Sequence, residues 1–310
     1  MTETDLSIII PAKNESSELG EALDSIAHHM ANHVHHEVIV VDNGSTDDTV
    51  AIAKSKGAKV ISREKSTIAG LRNAGVEISH GNIILFMDAD VRLTKKWGET
   101  ISDVLKFLHE NPRVITGSRC LVPEDDNLFL KYWFSRMTQK NSTYINSGHM
   151  ITTRKLFDLV GGFTENMITG EDYNFGQKAL LQGGIIIENN GLQTIHTGYP
   201  KTCSAFINRE RWHGTEDFRT WKNICASREA TIVLVHIILV VLSILIFSVR
   251  SPWSGIIFYF LTMPLFLSTL TIAKFGKPLR PSYLILTSFI FYLYIIGRSL
   301  SLFDRIRSRP

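Results

Sequence analysis

The sequence predicts an α/β domain with a mainly parallel sheet, followed by transmembrane helices. Three observations lead to this fold class. Short apolar runs alternate with segments of helical periodicity as far as Cys120. Polar turn residues or charges stand at the ends of several of those runs. Beyond Arg228, long stretches carry no charged residue at all.

Each predicted strand is a short apolar run that stops at a turn residue or a change in polarity. The first stops at Pro11, because proline cannot donate to a sheet ladder. The second stops at Asp42-Asn43-Gly44-Ser45, whose residue types favour a turn. The predicted strands are Leu6–Ile10, Glu37–Val41, Ala58–Ile61, Asn82–Met87 and Val114–Cys120.

The segments between these strands place apolar residues three and four positions apart, which predicts helices. In the first of them, Leu19, Leu23 and Ile26 share one face, and Ser16 or Ser17 can cap its N-terminus. Strands and helices that alternate with short connections predict a mainly parallel sheet covered on both faces. The predicted helices are Ser16–Met30, Thr46–Lys56, Thr67–Ile78 and Lys96–His109.

The segment Leu128–Met137 is both aromatic and basic. Two interpretations are open. The segment is either a helix packed in a core or a helix lying on a membrane surface.

Three stretches near the C-terminus contain no Asp, Glu, Lys or Arg: 230–249, 251–273 and 281–297. About 20 apolar residues are enough to cross the hydrocarbon core of a bilayer as a helix. We therefore predict a soluble domain over 1–228 and a membrane domain over 229–310. The membrane domain would hold two to three helices at about 230–249, 252–273 and 282–302.

The expected location is the cell membrane, with the soluble domain in the cytoplasm, since the polar N-terminus has no signal-peptide pattern. Basic residues cluster at 274–280, whereas the loop at Arg250 is nearly uncharged. By the positive-inside rule, the first two segments form a hairpin that goes out and back. The third segment is ambiguous because 305–309 is also basic. It either crosses the membrane or lies partly in the interface.

Composition excludes some classes of protein. The chain has 33 Lys and Arg against 30 Asp and Glu, a net charge of +3, with no long basic run. A nucleic-acid partner is therefore not expected. The three cysteines are widely spaced and indicate reduced intracellular thiols rather than disulfides.

The strongest sign of function is the sequence Phe86-Met87-Asp88-Ala89-Asp90, where a buried strand runs into two aspartates. Ligands of parallel α/β sheets bind beyond the carboxyl ends of the strands. Pro11, Asp42 and Asp88 should therefore line one cleft. The chain lacks both the G-x-G-x-x-G and the P-loop patterns, which disfavours a nicotinamide enzyme and a P-loop ATPase. Asp88 and Asp90 can instead neutralise a diphosphate by holding Mg²⁺ or Mn²⁺.

A family resemblance rests on seven motifs that occur in order. They are PAKNE (11–15), VVDNGSTDDT (40–49), AGLRNAG (69–75), FMDADV (86–91), VGGF (160–163), GED (170–172) and RERW (209–212). Together they resemble the inverting nucleotide-sugar transferases of glycosyltransferase family 2, which have the GT-A fold. The resemblance spans Leu6 to Gly214 and does not specify the sugar.

The resemblance implies roles for individual residues. Asp172 would be the general base, supported by Glu171, although acidic residues also suit the first turn of a helix. Asp88 and Asp90 would bind the metal, and His196 could face the metal or the diphosphate or be a structural hydrogen-bonding residue. The implied nucleotide-sugar-binding residues are Pro11, Ala12, Asn14, Glu15, Asp42, Arg72, Asn73, Asp88, Ala89, Asp90, Arg211 and Trp212.

The expected reaction is therefore a single in-line displacement on a UDP- or GDP-linked sugar donor. Membrane segments favour a lipid-linked acceptor, either a polyprenyl phosphate or a lipid-linked saccharide. A saccharide acceptor in exopolysaccharide or glycolipid assembly is the alternative. An inactive membrane scaffold is disfavoured because Asp42, Asp88, Asp90 and Asp172 are all present.

Overall fold

A computed structural model describes residues 5–30, 34–138, 144–276 and 280–307. The chain forms two compact units. The first comprises Met1–Glu124 and Lys140–Tyr199, and the second comprises Asp125–Gln139 and Pro200–Pro310. The segments 125–139 and 200–228 therefore group with the hydrophobic helices, although the boundary predicted from sequence lies at 228.

Among the described residues, the first unit is built on a seven-stranded mixed sheet with the strand order β3-β2-β1-β4-β7-β6-β8. Strands β1 to β4 run parallel, and β7 runs antiparallel to both of its neighbours. A second sheet pairs β5 with β9. The strands are β1 Leu6–Ala12, β2 His36–Asp42, β3 Lys59–Ser62, β4 Ile83–Met87, β5 Val91–Leu93, β6 Val114–Gly117, β7 His149–Thr153, β8 Ile185–Glu188 and β9 Thr194–His196.

Three of the six described helices of the first unit begin at threonine side chains that cap free backbone N–H groups. The side chains of Thr67, Thr94 and Thr153 each accept a hydrogen bond from the backbone N–H of the residue three positions later. The predicted helices are all confirmed, with ends shifted by a few residues. The helices are α1 Leu19–His29, α2 Thr49–Ser55, α3 Ile68–Glu77, α4 Lys95–Glu110, α6 Arg154–Val160 and α7 Glu171–Leu181.

Two strand ends differ from the prediction. Strand β1 continues through Pro11 to Ala12, paired with β2, while its pairing with β4 has already stopped at Ile9. A proline is tolerated where the strand has a neighbour on one side only. Strand β6 stops at Gly117, three residues before Cys120.

Apolar side chains cover both faces of the large sheet, as the sequence predicted. Leu6, Ile8 and Ile10 of β1 point into one core, which α1 and α4 complete. Ile9 points into the other core, together with side chains of α3 and α7. The sheet is therefore buried on both sides, and its polar strand ends are left to form a site.

The second unit contains three helices that are long and apolar enough to cross a membrane, among the described residues. They correspond to the three predicted segments. Short helices and a π-helical turn at Leu130–Phe134 accompany them. The helices are α5 Ser135–Met137, α8 Cys203–His213, α9 Trp221–Ala226, α10 Arg228–Val249, α11 Pro252–Phe275 and α12 Pro281–Arg307.

The segment Leu128–Met137 packs inside the second unit. Trp133 is buried, and its ring contacts Phe206 of α8, Phe275 of α11 and Phe291 of α12. The burial of Trp133 therefore agrees with the first interpretation of this segment, a helix packed in a core. Aromatic pairs in these geometries contribute about 0.5–1.5 kcal/mol beyond area burial.

Candidate functional site

The first unit brings two aspartates and a histidine together beyond the end of β4. Asp88 directly follows β4, and Asp90 precedes β5. The pairing of β5 with β9 sets Val91 opposite His196, and the N–H of Thr197 donates to the carbonyl of Asp90 at 2.9 Å. Residues more than 100 positions apart in sequence therefore meet at one strand end.

These three residues fit a divalent cation. One ligand atom from each of Asp88, Asp90 and His196 lies within 4.8 Å of the other two. His196 Nε2 lies 3.3 Å from Asp90 Oδ2. Its Nδ1 is buried and has no hydrogen-bond partner among the described residues. Two carboxylates and an imidazole form a donor set suited to Mn²⁺.

Two glycines keep space around the aspartates. A Cβ atom built at Gly148 would lie 2.6 Å from Asp88 Oδ2. One built at Gly198 would overlap the carboxylate of Asp90. Any side chain at these positions would push a carboxylate away from its present place.

Further carboxylates surround the pair. Burial raises the pKa of Glu15 to about 7, and the charges of Asp90 and Asp88 add to this shift. Burial also raises the pKa of Asp90, an effect that His196 opposes. Glu18 accepts hydrogen bonds from Thr197 and Arg92. So much negative charge in a partly buried place favours the binding of a cation.

The loops after β1 and β2 interlock at the same edge of the sheet. Asn14 has a left-handed backbone with φ of 56°, and its side chain accepts the N–H of Thr46 at 2.8 Å. Buried Asp42 accepts the N–H groups of Gly44 and Ser45. Pro11 and Ala12 end β1 beside Val41 and Asp42. The structure thus brings together Pro11, Ala12, Asn14 and Asp42, which are among the residues predicted to bind the nucleotide-sugar.

Arg72 of α3 is almost completely buried and bridges two carboxylates. Its Nη2 donates to Asp88 Oδ1 at 2.7 Å, and its Nη1 donates to Glu171 Oε1 at 2.6 Å. The neighbouring Asn73 pairs with the backbone of Phe163 in both directions. In this structure, Arg72 therefore links the predicted metal site to the GED motif.

Asp172 lies in the first turn of α7, beside Glu171. It is 8 % exposed and accepts the N–H of Ser147 at 3.4 Å and that of Tyr173 at 2.7 Å. Burial raises its pKa to about 6, and the charge of Glu171 adds to the shift while Arg72 opposes it. A carboxylate with such a pKa is suited to general-base work near neutral pH.

Arg211 and Trp212 belong to the second unit. Within that unit, Arg211 donates twice to Asp304, each time at 2.6 Å, on an exposed surface. The side chain of Trp212 is also exposed. Their expected roles toward diphosphate and sugar stay predictions.

Some residues of the site had no clear signal in the sequence. Glu18, Ser147, Gly148 and Gly198 contact the predicted site residues, yet none belongs to a quoted motif. Gly198 lies two residues after the predicted site residue His196, and this proximity in sequence is the local signal that could have pointed to it. The others enter the site through tertiary contacts alone.

This fold and this set of carboxylates define a GT-A-like architecture. The family model for glycosyl transferase family 2 matches residues 7–163, slightly more than half of the 310-residue chain. The chain therefore belongs to glycosyl transferase family 2.

Curated relatives support the same family. Glycosyltransferase AglE of Haloferax volcanii is 28 % identical over 192 residues, 57 % of this chain and 62 % of the relative. An uncharacterized glycosyltransferase of Rickettsia conorii is 32 % identical over 115 residues, 36 % of this chain and 18 % of the relative. The chain thus spans less than two thirds of the length of these relatives.

Solved structures share the fold. The mannosyltransferase PcManGT from Pyrobaculum calidifontis, in complex with GDP-Man and Mn²⁺, has a TM-score of 0.59 at 17 % identity, covering 96 % of this chain and 86 % of its own. GalNAc-T7 with UDP, GalNAc and Mn²⁺ has a TM-score of 0.51 at 13 % identity, covering 69 % and 50 %. At these identities the likeness concerns the fold alone.

The metal site makes a prediction about His196. We expect His196→Gln to weaken Mn²⁺ binding by about tenfold or more, because an imidazole ligand is lost from the site. The measurement is a calorimetric Mn²⁺ titration of the full chain in detergent. His80→Gln is the matched control, since its side chain is 71 % exposed and lies outside this cluster. Equal affinity in wild type and His196→Gln would exclude His196 as a ligand.

A second prediction concerns Arg72. A lysine keeps the charge but cannot donate in a fork to both Asp88 and Glu171. Arg72→Lys should therefore lower Mn²⁺-dependent nucleotide binding and transfer rate together, each by about tenfold or more. Arg154→Lys is the control, because Arg154 donates to the carbonyls of Val76 and Gly81 and to no carboxylate among the described residues. If both lysine variants lose only thermal stability, the Arg72 bridge is merely structural.

Proposed function

We propose that the protein transfers a sugar from a UDP- or GDP-linked donor to a lipid-linked acceptor, with inversion at the anomeric carbon and with a divalent cation. The observation that carries this proposal is the grouping of Asp88, Asp90 and His196 at the end of β4. The Arg72 bridge joins this group to Glu171, the residue beside Asp172. A single displacement requires a group that stabilises the leaving diphosphate and a base for the acceptor. The cation site and Asp172 would supply them, and Arg72 connects the two through Asp88 and Glu171.

The cation, when bound, would supply positive charge that stabilises the departing diphosphate. Asp88, Asp90 and His196 would hold it. The imidazole favours Mn²⁺ over Mg²⁺, since Mg²⁺ prefers oxygen ligands. Both structural neighbours named above contain Mn²⁺, which supports the choice of Mn²⁺ as the first ion to test.

Asp172 would accept the proton of the acceptor hydroxyl. Two backbone N–H groups orient its carboxylate. Glu171, by contrast, forms an ion pair with the Arg72 guanidinium through Oε1, and the same oxygen accepts a hydrogen bond from the Ser147 hydroxyl. This difference favours Asp172 over Glu171 as the base.

The nucleoside would lie against the interlocked loops after β1 and β2. Asn14 and Asp42 hold those loops through hydrogen bonds to backbone N–H groups. The wall is therefore formed before a donor arrives. A preformed wall lowers the entropic cost of binding.

The lipid-linked acceptor is proposed because three candidate membrane helices follow the site residues in the same chain. A transferase held at the membrane meets lipid-linked substrates in two dimensions. The alternative acceptor is a saccharide of exopolysaccharide or glycolipid assembly. We further propose that the first unit faces the cytoplasm, where nucleotide-sugars would be supplied.

A donor screen tests the proposed function. Membranes containing the full chain are washed with alkaline carbonate and incubated with UDP- and GDP-sugars and an extract of membrane lipids. We expect transfer of one sugar to lipid in Mn²⁺, its loss in EDTA, and its recovery when Mn²⁺ is restored. Membranes with Asp90→Asn are the control. Transfer that persists in EDTA contradicts the cation role, and transfer found only in the wash contradicts the membrane-bound state.

Asp172→Asn tests the base. Asparagine keeps the shape of the side chain but cannot take the proton, so the transfer rate should fall by about 10²-fold or more. Nucleotide affinity should stay within a few-fold, because Asp172 does not belong to the cation group. Asp90→Asn is the contrasting variant and should weaken both. A near wild-type rate for Asp172→Asn would place the base elsewhere.

The pH profile provides a further check on the same residue. Burial favours the protonated form of Asp172, which cannot act as a base. The rate should therefore rise with pH through about 6 and level off above it. The rise should be missing from the residual rate of Asp172→Asn.

A further inference from the structure

We propose that α12 does not cross the membrane but lies along its surface, on the side where α10 begins, so that the chain crosses twice as the hairpin α10–α11. This inference rests on the membrane-bound state proposed above. In this arrangement, the exposed apolar face of α12 contacts the head-group layer of the bilayer.

The two ends of α12 are packed against the same side of the hairpin. Near its start, Ser288 lies 3.1 Å, hydroxyl to hydroxyl, from Thr271 in the last turns of α11. Near its end, Leu302 packs against the cluster that Phe218 forms with Ala230 and Val233, two residues in the first turns of α10. Because α11 ends and α10 begins on one side of a hairpin, both ends of α12 lie on that side.

Segments that precede the first candidate span contact α12 along most of its length. Thr287 donates to the carbonyl of Tyr132 in the π-helical turn, and Ser301 donates to the carbonyl of Arg211 in α8. The helix between these two points rises about 21 Å at 1.5 Å per residue. If α12 crossed a hydrocarbon core of about 30 Å, one of these earlier segments would have to reach through the bilayer.

Charge in α12 supports the same arrangement. Arg298 donates to Asp217 at 2.6 Å and to Glu210 at 3.2 Å, so an ion network joins α12 to α8. Gly297 permits this close approach, since a Cβ there would lie 2.7 Å from the carbonyl of Ile207. Such a network is costly in the centre of a bilayer and inexpensive at its surface.

The opposite face of α12 is apolar and exposed. Ile285, Phe289, Phe303 and Ile306 are all exposed, and at 100° per residue they fall within an arc of about 100°. Within this arc, the hydroxyl of Tyr292 contacts that of Tyr259 in α11 at 3.1 Å. The apolar face is therefore continuous with the membrane hairpin. This is the pattern of a helix that sinks one face into the interface.

The arrangement also agrees with the positive-inside rule, which a third crossing would violate because both ends of α12 are basic. With two crossings, Lys274 and Arg280 lie on the same side as Arg305 and Arg307. The nearly uncharged loop at Arg250 lies on the other side. Basic residues flanking a surface helix favour anionic head groups.

Cysteine labelling tests the proposal in the full chain. Single-cysteine proteins carry the native Cys203, Arg250→Cys or Arg307→Cys, with the other native cysteines replaced by serine. A membrane-impermeant maleimide is applied to intact cells and to inverted membrane vesicles. Cys203 is exposed in α8 and marks the side on which α10 begins. We expect Arg307→Cys to label from the same side as Cys203, and Arg250→Cys from the opposite side.

The possible outcomes separate the two proposals. Labelling of Arg307→Cys from the side opposite Cys203, or from neither side, overturns the surface position of α12. Labelling of Arg250→Cys from the same side as Cys203, or release of the protein by alkaline carbonate, overturns the membrane hairpin itself and with it the proposed membrane-bound state. The single-cysteine proteins are compared only in membranes that survive the carbonate wash.

Discussion

Concentrated negative charge at the carboxyl ends of β1 and β4 is the constraint on which the rest of the site depends. Asp88, Asp90, Glu15 and Glu18 approach one another in a partly buried place, which raises the pKa of Glu15 and Asp90. The protein tolerates this repulsion through nearby cationic or polar groups and through the capacity to take up a divalent ion. The glycines beside the aspartates keep that capacity open.

The buried guanidinium of Arg72 extends this charge balance toward Asp172. It bonds to Asp88 on one side and to Glu171 on the other. Ser147 and Gly148 form a second connection, because Ser147 donates to the acids of α7 and the Gly148 carbonyl accepts the N–H of Asp88. Two independent links hold the cation site and the acidic pair in one arrangement. Such preorganisation is where electrostatic catalysis gains most of its effect.

The second unit follows a different balance, between apolar helices and a few buried ions. Arg298 would be costly in lipid by itself, but Glu210 and Asp217 pair with it. This pairing joins α8 to α12 and explains why the segment around RERW groups with the hydrophobic helices. Glu210 and Asp217 precede the boundary predicted at 228, and Arg298, with which they pair, follows it.

The sequence by itself determined five of the nine described strands, four of the six described helices of the first unit and the two aspartates, because local apolar period and turn chemistry decide those features. It also determined that three helices would be long enough to cross a membrane. Only the tertiary structure decided that His196 meets Asp90 and that Arg72 bridges Asp88 and Glu171. Those contacts join residues far apart in the chain, and their geometry follows from the register of β5 with β9 and the packing of α3 on the sheet, which no local pattern records.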